Sequence, residues 1–155
     1  MTQALFETLR AITTATITTM LLKKGIRRCW MQGPMPLEGS GRRIIGPAFT
    51  MRFIPVREDL ATPESWAKPI STRGAIEAMP DGCIAVADAM GVTTAGIFGD
   101  ILTMRMMKRN VAALVTDGVI RDKAGVLASK LPTWSPSFNT LSTGWAGPVK
   151  IRWKN

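Results

Sequence analysis

The stretch from Cys83 to Asp122 constrains the fold more than any other part of this 155-residue chain. "CIAVA" (Cys83 to Ala87) is short, continuous and apolar, as expected of a strand covered on both faces. "DILTMRMMKRN" follows as a helix with Lys108 and Arg109 in its final turn, and "VAALV" (Val111 to Val115) repeats the buried-strand pattern. Strand, helix, strand in this order predicts a βαβ unit, hence an α/β domain with a partly parallel sheet. Such a crossover is right-handed in nearly all cases. It brings the loop after the first strand, the start of the helix and the end of the second strand to one sheet edge. Asp88, Gly96, Gly99, Asp100 and the segment from Asp117 to Asp122 are therefore expected to converge.

The flanking segments are read by the same periodicities. In "ITTATITTMLLKKG", Ile17, Met20 and Leu21 recur at helical spacing, Lys23 and Lys24 lie in the last turn and Gly25 serves as C-cap, which predicts a surface helix with a buried stripe. "GPAFTMRFIP" alternates Phe49, Met51 and Phe53 with Thr50 and Arg52, a half-buried strand ended by Pro55. "REDLATPESWAKPISTRG", with Pro63, Pro69 and no period, reads as a long surface excursion. No internal repeat or linker appears, so residues 1–155 are expected to form one domain.

Composition removes several chemistries. The chain has no histidine, which excludes the usual general base, the usual zinc ligand and every histidine triad. Cys29 and Cys83 lack metal or disulfide spacing and read as buried thiols. Lys and Arg outnumber Asp and Glu by 20 to 11, so anionic partners of any size are favoured. No apolar run approaches the roughly 18 residues that cross a bilayer, and Glu7 and Arg10 stand where a signal peptide needs its apolar centre. A cytoplasmic protein without membrane association is expected.

At the predicted sheet edge the residue types suit one kind of ligand. Backbone N–H groups at a helix start attract anions, and Gly96 and Gly99 would let a ligand approach the backbone. Arg121 offers a bidentate grip on a carboxylate, and Asp122 suits a hard divalent cation. Together they describe a pocket for a metal-bound oxo-acid. Each residue also has an ordinary structural explanation. Asp100 complements the helix dipole, Asp117-Gly118 is common turn chemistry, and Arg121-Asp122 resembles solvated strand-end charges. Met104, Met106 and Met107 read as core filling. The basic pairs Lys23-Lys24, Arg27-Arg28 and Arg42-Arg43 lack interleaved Tyr or Phe, so direct nucleic-acid binding has little support.

"GDILTMRMMKRNVAALVTDGVIRD" resembles the signature of the regulator of ribonuclease activity A family, which includes 4-hydroxy-4-methyl-2-oxoglutarate aldolases and oxaloacetate decarboxylases. The resemblance runs from "RAITTATITTMLLKKG" through "GPAFTMRFIPVRED" to about Pro132, leaving residues 133–155 as a divergent or truncated tail. It implies a swivelling-type (phosphohistidine-domain-like) α/β fold assembled as a trimer or hexamer, with sites between subunits. It also implies that Asp122 binds Mg²⁺ or Mn²⁺ directly and Asp100 through water. Arg121 would hold the carboxylate and keto end of a 2-keto acid, and Gly99 with the amides of Ile101 and Leu102 would complete the carboxylate site. Aldolase members usually carry an acid three positions after the Asp of R-D, where this chain has Gly125, and they continue into closing strands where this chain runs "WSPSFNTLSTGWAGPVKIRWKN". Trp134, Trp145 and Trp153 of that tail would pack or expose the sheet edge.

On this reading the chain is a carbon–carbon lyase releasing pyruvate from a 2-keto acid, with the cation and Arg121 stabilising the charge that develops on the keto oxygen. The competing expectation is a non-catalytic regulator that binds and inhibits a ribonuclease of the ribonuclease E type. Retention of the Asp of R-D favours the enzyme.

Overall fold

The computed structural model describes residues 3–38, 43–55, 59 and 62–138. Two helices come first, α1 (Gln3–Ala11) and α2 (Thr14–Lys23). The Thr13 hydroxyl caps α2 by accepting from Thr16 N–H. Gly25, at φ +83°, closes it as expected. Its N–H donates to Leu22 C=O and that of Ile26 to Leu21 C=O, the paired bonds of a Schellman end. The expected buried stripe is absent. Ile17 and Leu21 are only half-buried and Met20 is exposed, because no described element covers that face. Beyond α2 the chain stays open to solvent, with Trp30 68% exposed and Cys29 exposed rather than buried.

The main sheet is built from β1 (Met35–Pro36), β2 (Ala48–Arg52), β3 (Ile84–Asp88), β5 (Ala113–Thr116) and β7 (Thr133–Ser135), in the order β1-β7-β5-β3-β2. All pairings are parallel except β1 with β7. Phe49 and Met51 on β2, with Phe53 just past it, alternate inward as their period requires. The segment between β2 and β3 is more ordered than its mixed composition suggests. Residues 56–58 and 60–61 lie outside the described chain, but Pro63–Ala67 forms a 3-10 turn and α3 (Thr72–Ala78) follows. The Ser71 hydroxyl caps α3 by accepting from Gly74 N–H at 3.0 Å, and Ala75 and Ile76 are buried. Seven residues with two buried side chains are too few to show a helical period.

Between β3 and β5 the chain runs through β4 (Gly96–Phe98) and α4 (Asp100–Lys108). After β5 come β6 (Val119–Ile120) and α5 (Lys123–Ala128). β4 and β6 pair in parallel as a second, two-stranded sheet, which the βαβ pattern did not foretell because each strand has only two or three residues. The predicted crossover holds, with β3 and β5 as parallel neighbours and α4 between them in sequence. Past the C-cap Arg109 of α4, Asn110 at φ +54° reverses the chain while Val111 N–H donates to Met106 C=O.

One core forms against one face of the main sheet. Phe49, Met51, Ala85, Ala87 and Leu114 meet Ala75, Ile76 and Met79 around α3, Met106 of α4, Val126 of α5 and Phe98 of β4. Phe53 and Phe98 pack edge-to-face, ring centroids 5.6 Å apart. The alanines of β3 leave room for these larger side chains to approach. Met106 is buried, whereas Met104 and Met107 are exposed, so only one of the three methionines fills the core. On the opposite face Val86 and Val115 stand side by side in register and are half-buried, so β3 is not covered on both faces by described residues. Trp134, half-buried, sits between β5 and β1. Trp145 and Trp153 lie outside the described residues. Among the described residues no helix is long and apolar enough to cross a membrane.

Candidate functional site

The strand ends sort the predicted residues into two groups rather than one. The first gathers around the turn after β3. Met90 and Gly91 both have positive φ (56° and 67°), and Val92 N–H closes on Ala89 C=O, the pattern of a type I′ turn. A methionine is strained in that conformation, and three carboxylate contacts hold it there. Asp117 accepts from Ala89 N–H at 2.6 Å and Gly91 N–H at 2.7 Å, and Asp88 accepts from Met90 N–H at 2.8 Å. Asp88 also takes Arg52 Nε at 2.6 Å. Both acids are thus engaged by the fold itself. Gly118 beside them is glycine for space, since a Cβ there would stand 2.6 Å from Ala89 Cβ.

The second group forms where β4 and β6 hand over to α4 and α5. Arg121 N–H donates to Phe98 C=O at 2.9 Å, extending the two-stranded pairing by one residue and locking the Arg121-Asp122 junction against Gly99. Gly96 lies in β4 rather than at the helix entry, and the space above both glycines is filled by protein instead of being left for a ligand. A Cβ on Gly96 would stand 2.7 Å from Arg121 Cβ. One on Gly99 would meet Asp122 Oδ2, with Arg121 Nε at 3.0 Å. These two glycines seat the arginine stem and the aspartate carboxylate.

Asp122 is the outlier of the group. It occupies the N-cap position of α5 with φ 54° and ψ 47°, a left-handed conformation that aspartate enters more readily than most non-glycine residues but that is unusual at an N-cap, where the backbone is ordinarily extended. An N-cap carboxylate ordinarily bonds its own helix's amides, but Asp122 makes no such bond and turns toward Gly99. Arg121 Nε lies 3.4 Å from Asp122 Oδ2, an ion pair that lacks hydrogen-bond geometry. That nitrogen is buried without a hydrogen-bond partner. Half of the Asp122 side chain remains exposed, so the carboxylate is reachable from outside.

Asp100 opens α4 and is half-buried, its Oδ1 accepting from Ile101 N–H at 2.7 Å. The Ile101 amide expected to receive a ligand carboxylate is therefore engaged by Asp100. The Ile101 side chain is exposed, while Leu102 packs against the core. Buried Thr103 ties the helix start down, its hydroxyl donating to Gly99 and Asp100 C=O. The Asp100 side chain also lies against Gly125 in the first turn of α5. Nothing in the sequence pattern marked Gly125 as part of this group except its spacing from the Arg-Asp pair.

The donor set suits one type of cation. Asp122 and Asp100 are hard oxygen donors, and among the described residues no cluster of three or more acidic, cysteine or histidine side chains is gathered. Mg²⁺ and Mn²⁺ accept such a sparse set, since one or two carboxylates suffice when water and substrate oxygens supply the rest. Zinc and calcium sites ask for more protein ligands than these. A shallow cleft lined by Leu37, Glu38, Leu127, Lys130 and Trp134 lies near the other end of α5 and takes no part in this arrangement.

Comparison with known proteins covers most of the chain. A family model described as RraA-like, Aldolase/RraA, matches residues 14–152. Streptomyces coelicolor RraAS2, an unusual member of the RNase ES inhibitor RraA protein family, superposes with a TM-score of 0.81 at 28% identity over 98% of this chain and 71% of its own. RraA from Thermus thermophilis, an RNA-processing inhibitor, superposes at 0.63 and 16% identity over 86% of this chain and 74% of its own, a likeness of fold. Protein DlpA of Legionella pneumophila is 28% identical over 95 residues, 61% of this chain, and the chain spans only 14% of that protein's length.

Proposed function

The chain belongs to the RraA-like family, and on that premise we propose that it is a divalent-cation-dependent carbon–carbon lyase releasing pyruvate from a short 2-keto acid such as oxaloacetate or 4-hydroxy-4-methyl-2-oxoglutarate. The observation that carries this reading is Asp122, held in a left-handed conformation with its carboxylate off its own helix, reachable from solvent and beside a buried, unsatisfied arginine nitrogen. An acid that gives its own helix no capping bond keeps its oxygens available to a ligand.

Asp122 and Asp100 would hold Mg²⁺ or Mn²⁺, which supplies Lewis acidity toward the 2-keto oxygen. Arg121 supplies the protein's part. Its stem packs over Gly96 and Gly99, and its planar fork can bind the pyruvyl carboxylate and keto oxygen. When the C3–C4 bond breaks, its electron pair passes into the pyruvyl fragment. The guanidinium charge then stabilises the negative charge gathering on the keto oxygen. C3 takes up a proton from water and pyruvate leaves; for an aldol substrate the C4 hydroxyl gives its proton to water as the carbonyl forms. The departing group is carbon dioxide for oxaloacetate or a carbonyl compound for an aldol substrate. Asp122 stands half exposed in the single chain, so the proposal includes a homo-oligomer, a trimer or hexamer, in which a neighbouring copy would close the site.

A second reading is favoured by the similarity to RraAS2, whose family is named for inhibition of a ribonuclease. The deciding measurement is pyruvate release from oxaloacetate with Mg²⁺ or Mn²⁺ and with chelator, against the rate of the free cation. A lyase exceeds that background and is silenced by chelation. A protein that never exceeds it, yet slows cleavage by a ribonuclease of the E type, is the regulator.

A further inference from the structure

We infer that the arm from Met20 to Met35 docks on a membrane surface rich in anionic lipid, its apolar side chains entering the headgroup boundary and its cations meeting the lipid phosphates. The inference is independent of the lyase reading. Every residue from 22 to 33 is exposed and no residue of α2 is buried, so the body of the domain leaves the arm uncovered. The chain turns at Gly25 and Gly33, both at positive φ, and no described atom lies within 4 Å of where either Cβ would stand. Twelve large apolar side chains are exposed among the described residues, and six of them stand on this arm: Met20, Leu22, Ile26, Trp30, Met31 and Met35, each 49–68% exposed. Lys23, Lys24, Arg27 and Arg28 are interleaved with them, all exposed, and no acidic residue occurs from position 8 to 37.

The mixture of groups selects the partner. Apolar side chains beside charge of one sign suit a surface that is anionic outside and apolar beneath, which describes the bilayer boundary. Lysine and arginine stems lie along apolar material while their charged heads stay at the phosphates, so the interleaved cations favour insertion. Trp30, the most exposed of the six, is of the residue type that collects at that boundary. A protein docking surface commonly mixes both charge signs to fix its register, and this arm has no acid to do so. A nucleic-acid strand needs aromatic faces for successive bases, and the arm offers one. Hydropathy speaks only against a spanning helix among the described residues; a helix and loop lying in the boundary require none.

The test is sedimentation of the whole chain with vesicles of phosphatidylcholine, either alone or mixed with phosphatidylglycerol. The protein should bind the mixed vesicles and leave the neutral ones. Arg27→Gln with Arg28→Gln should weaken binding roughly thirtyfold, about fivefold for each cation removed. Trp30→Ser with Met31→Ser should weaken it at least about tenfold by removing the inserted surface. All four side chains are exposed, so both double variants should unfold at the parent's temperature. The inference is overturned if the parent binds neutral vesicles equally well, if it binds neither kind, or if either double variant sediments like the parent. A parent that ignores vesicles and retains a single-stranded oligonucleotide assigns the arm to nucleic acid. A parent that ignores vesicles and forms an oligomer that Trp30→Ser with Met31→Ser dissociates assigns it to a second copy of this chain.

Discussion

Each of the two sheets leads two of its parallel strands into an aspartate and puts it to opposite use. In the five-stranded sheet, β3 ends on Asp88 and β5 runs into Asp117, and both carboxylates are consumed by the strained Ala89–Gly91 turn and by Arg52. In the two-stranded sheet, β4 leads into Asp100 and β6 into Asp122. There the carboxylates lean over glycines, and Asp122 leaves its own helix uncapped. All four are aspartates at the carboxyl ends of strands, where α/β folds place ligands. Position alone therefore does not distinguish a residue that holds the fold from one available for chemistry. The partners of each oxygen do.

The contrast predicts that substitutions in the two pairs separate function from stability. The largest effect is expected at Asp122. Asn tolerates the left-handed conformation nearly as well as Asp, so Asp122→Asn should fold as the parent does. Its turnover should fall to the free-cation background, roughly 1000-fold or about 4 kcal/mol, with Mn²⁺ binding lost. Normal turnover in Asp122→Asn would place the chemistry elsewhere.

Much of this architecture was legible beforehand because it rests on long or strongly patterned segments. β2 shows its alternation, β3 and β5 their apolar runs, and α4 its length and basic last turn. Legibility failed where elements are short or where contact decides. β4 and β6 together contain five residues, and α3 buries two side chains. The stripe on α2 has helical spacing, yet no described element covers it, so periodicity located a helix face without showing what packs there. The site was half legible in the same sense. Arg121 and Asp122 were marked by residue type, but the reason for glycine at 96, 99 and 125 lies in side chains distant in sequence.

The second expected effect is structural and belongs to Asp117. Asp117→Ala strips two short charge-assisted bonds from backbone N–H groups and releases a turn with two residues at positive φ. A loss of about 2–3 kcal/mol follows, since each such bond is worth roughly 1.5–3 kcal/mol and water recovers part of it at a half-buried position. Urea unfolding should show a lower midpoint at unchanged slope, and the folded protein should keep its Mn²⁺ affinity within about twofold. A drop in cation affinity larger than the drop in stability would join the two aspartate pairs into one site.

The smallest effect is expected at Asp88, which shares the turn with Asp117 but faces water. Its ion pair with Arg52 is short, 2.5 Å from NH2, yet the Arg52 side chain is 66% exposed and that of Asp88 36%, so solvent screens most of the attraction. Asp88→Asn removes the charge and keeps an amide oxygen for Met90 N–H, the contact that restrains the positive φ of that residue. The remaining loss is the screened pair alone, below about 1 kcal/mol and shrinking further with added salt. Thermal unfolding at low and high ionic strength measures it. A loss as large as that of Asp117→Ala that shrinks with added salt would show that the carboxylate charge, and not the acceptor oxygen, holds Met90 in its turn. The two aspartates of the main sheet would then be equal partners in one charged clamp.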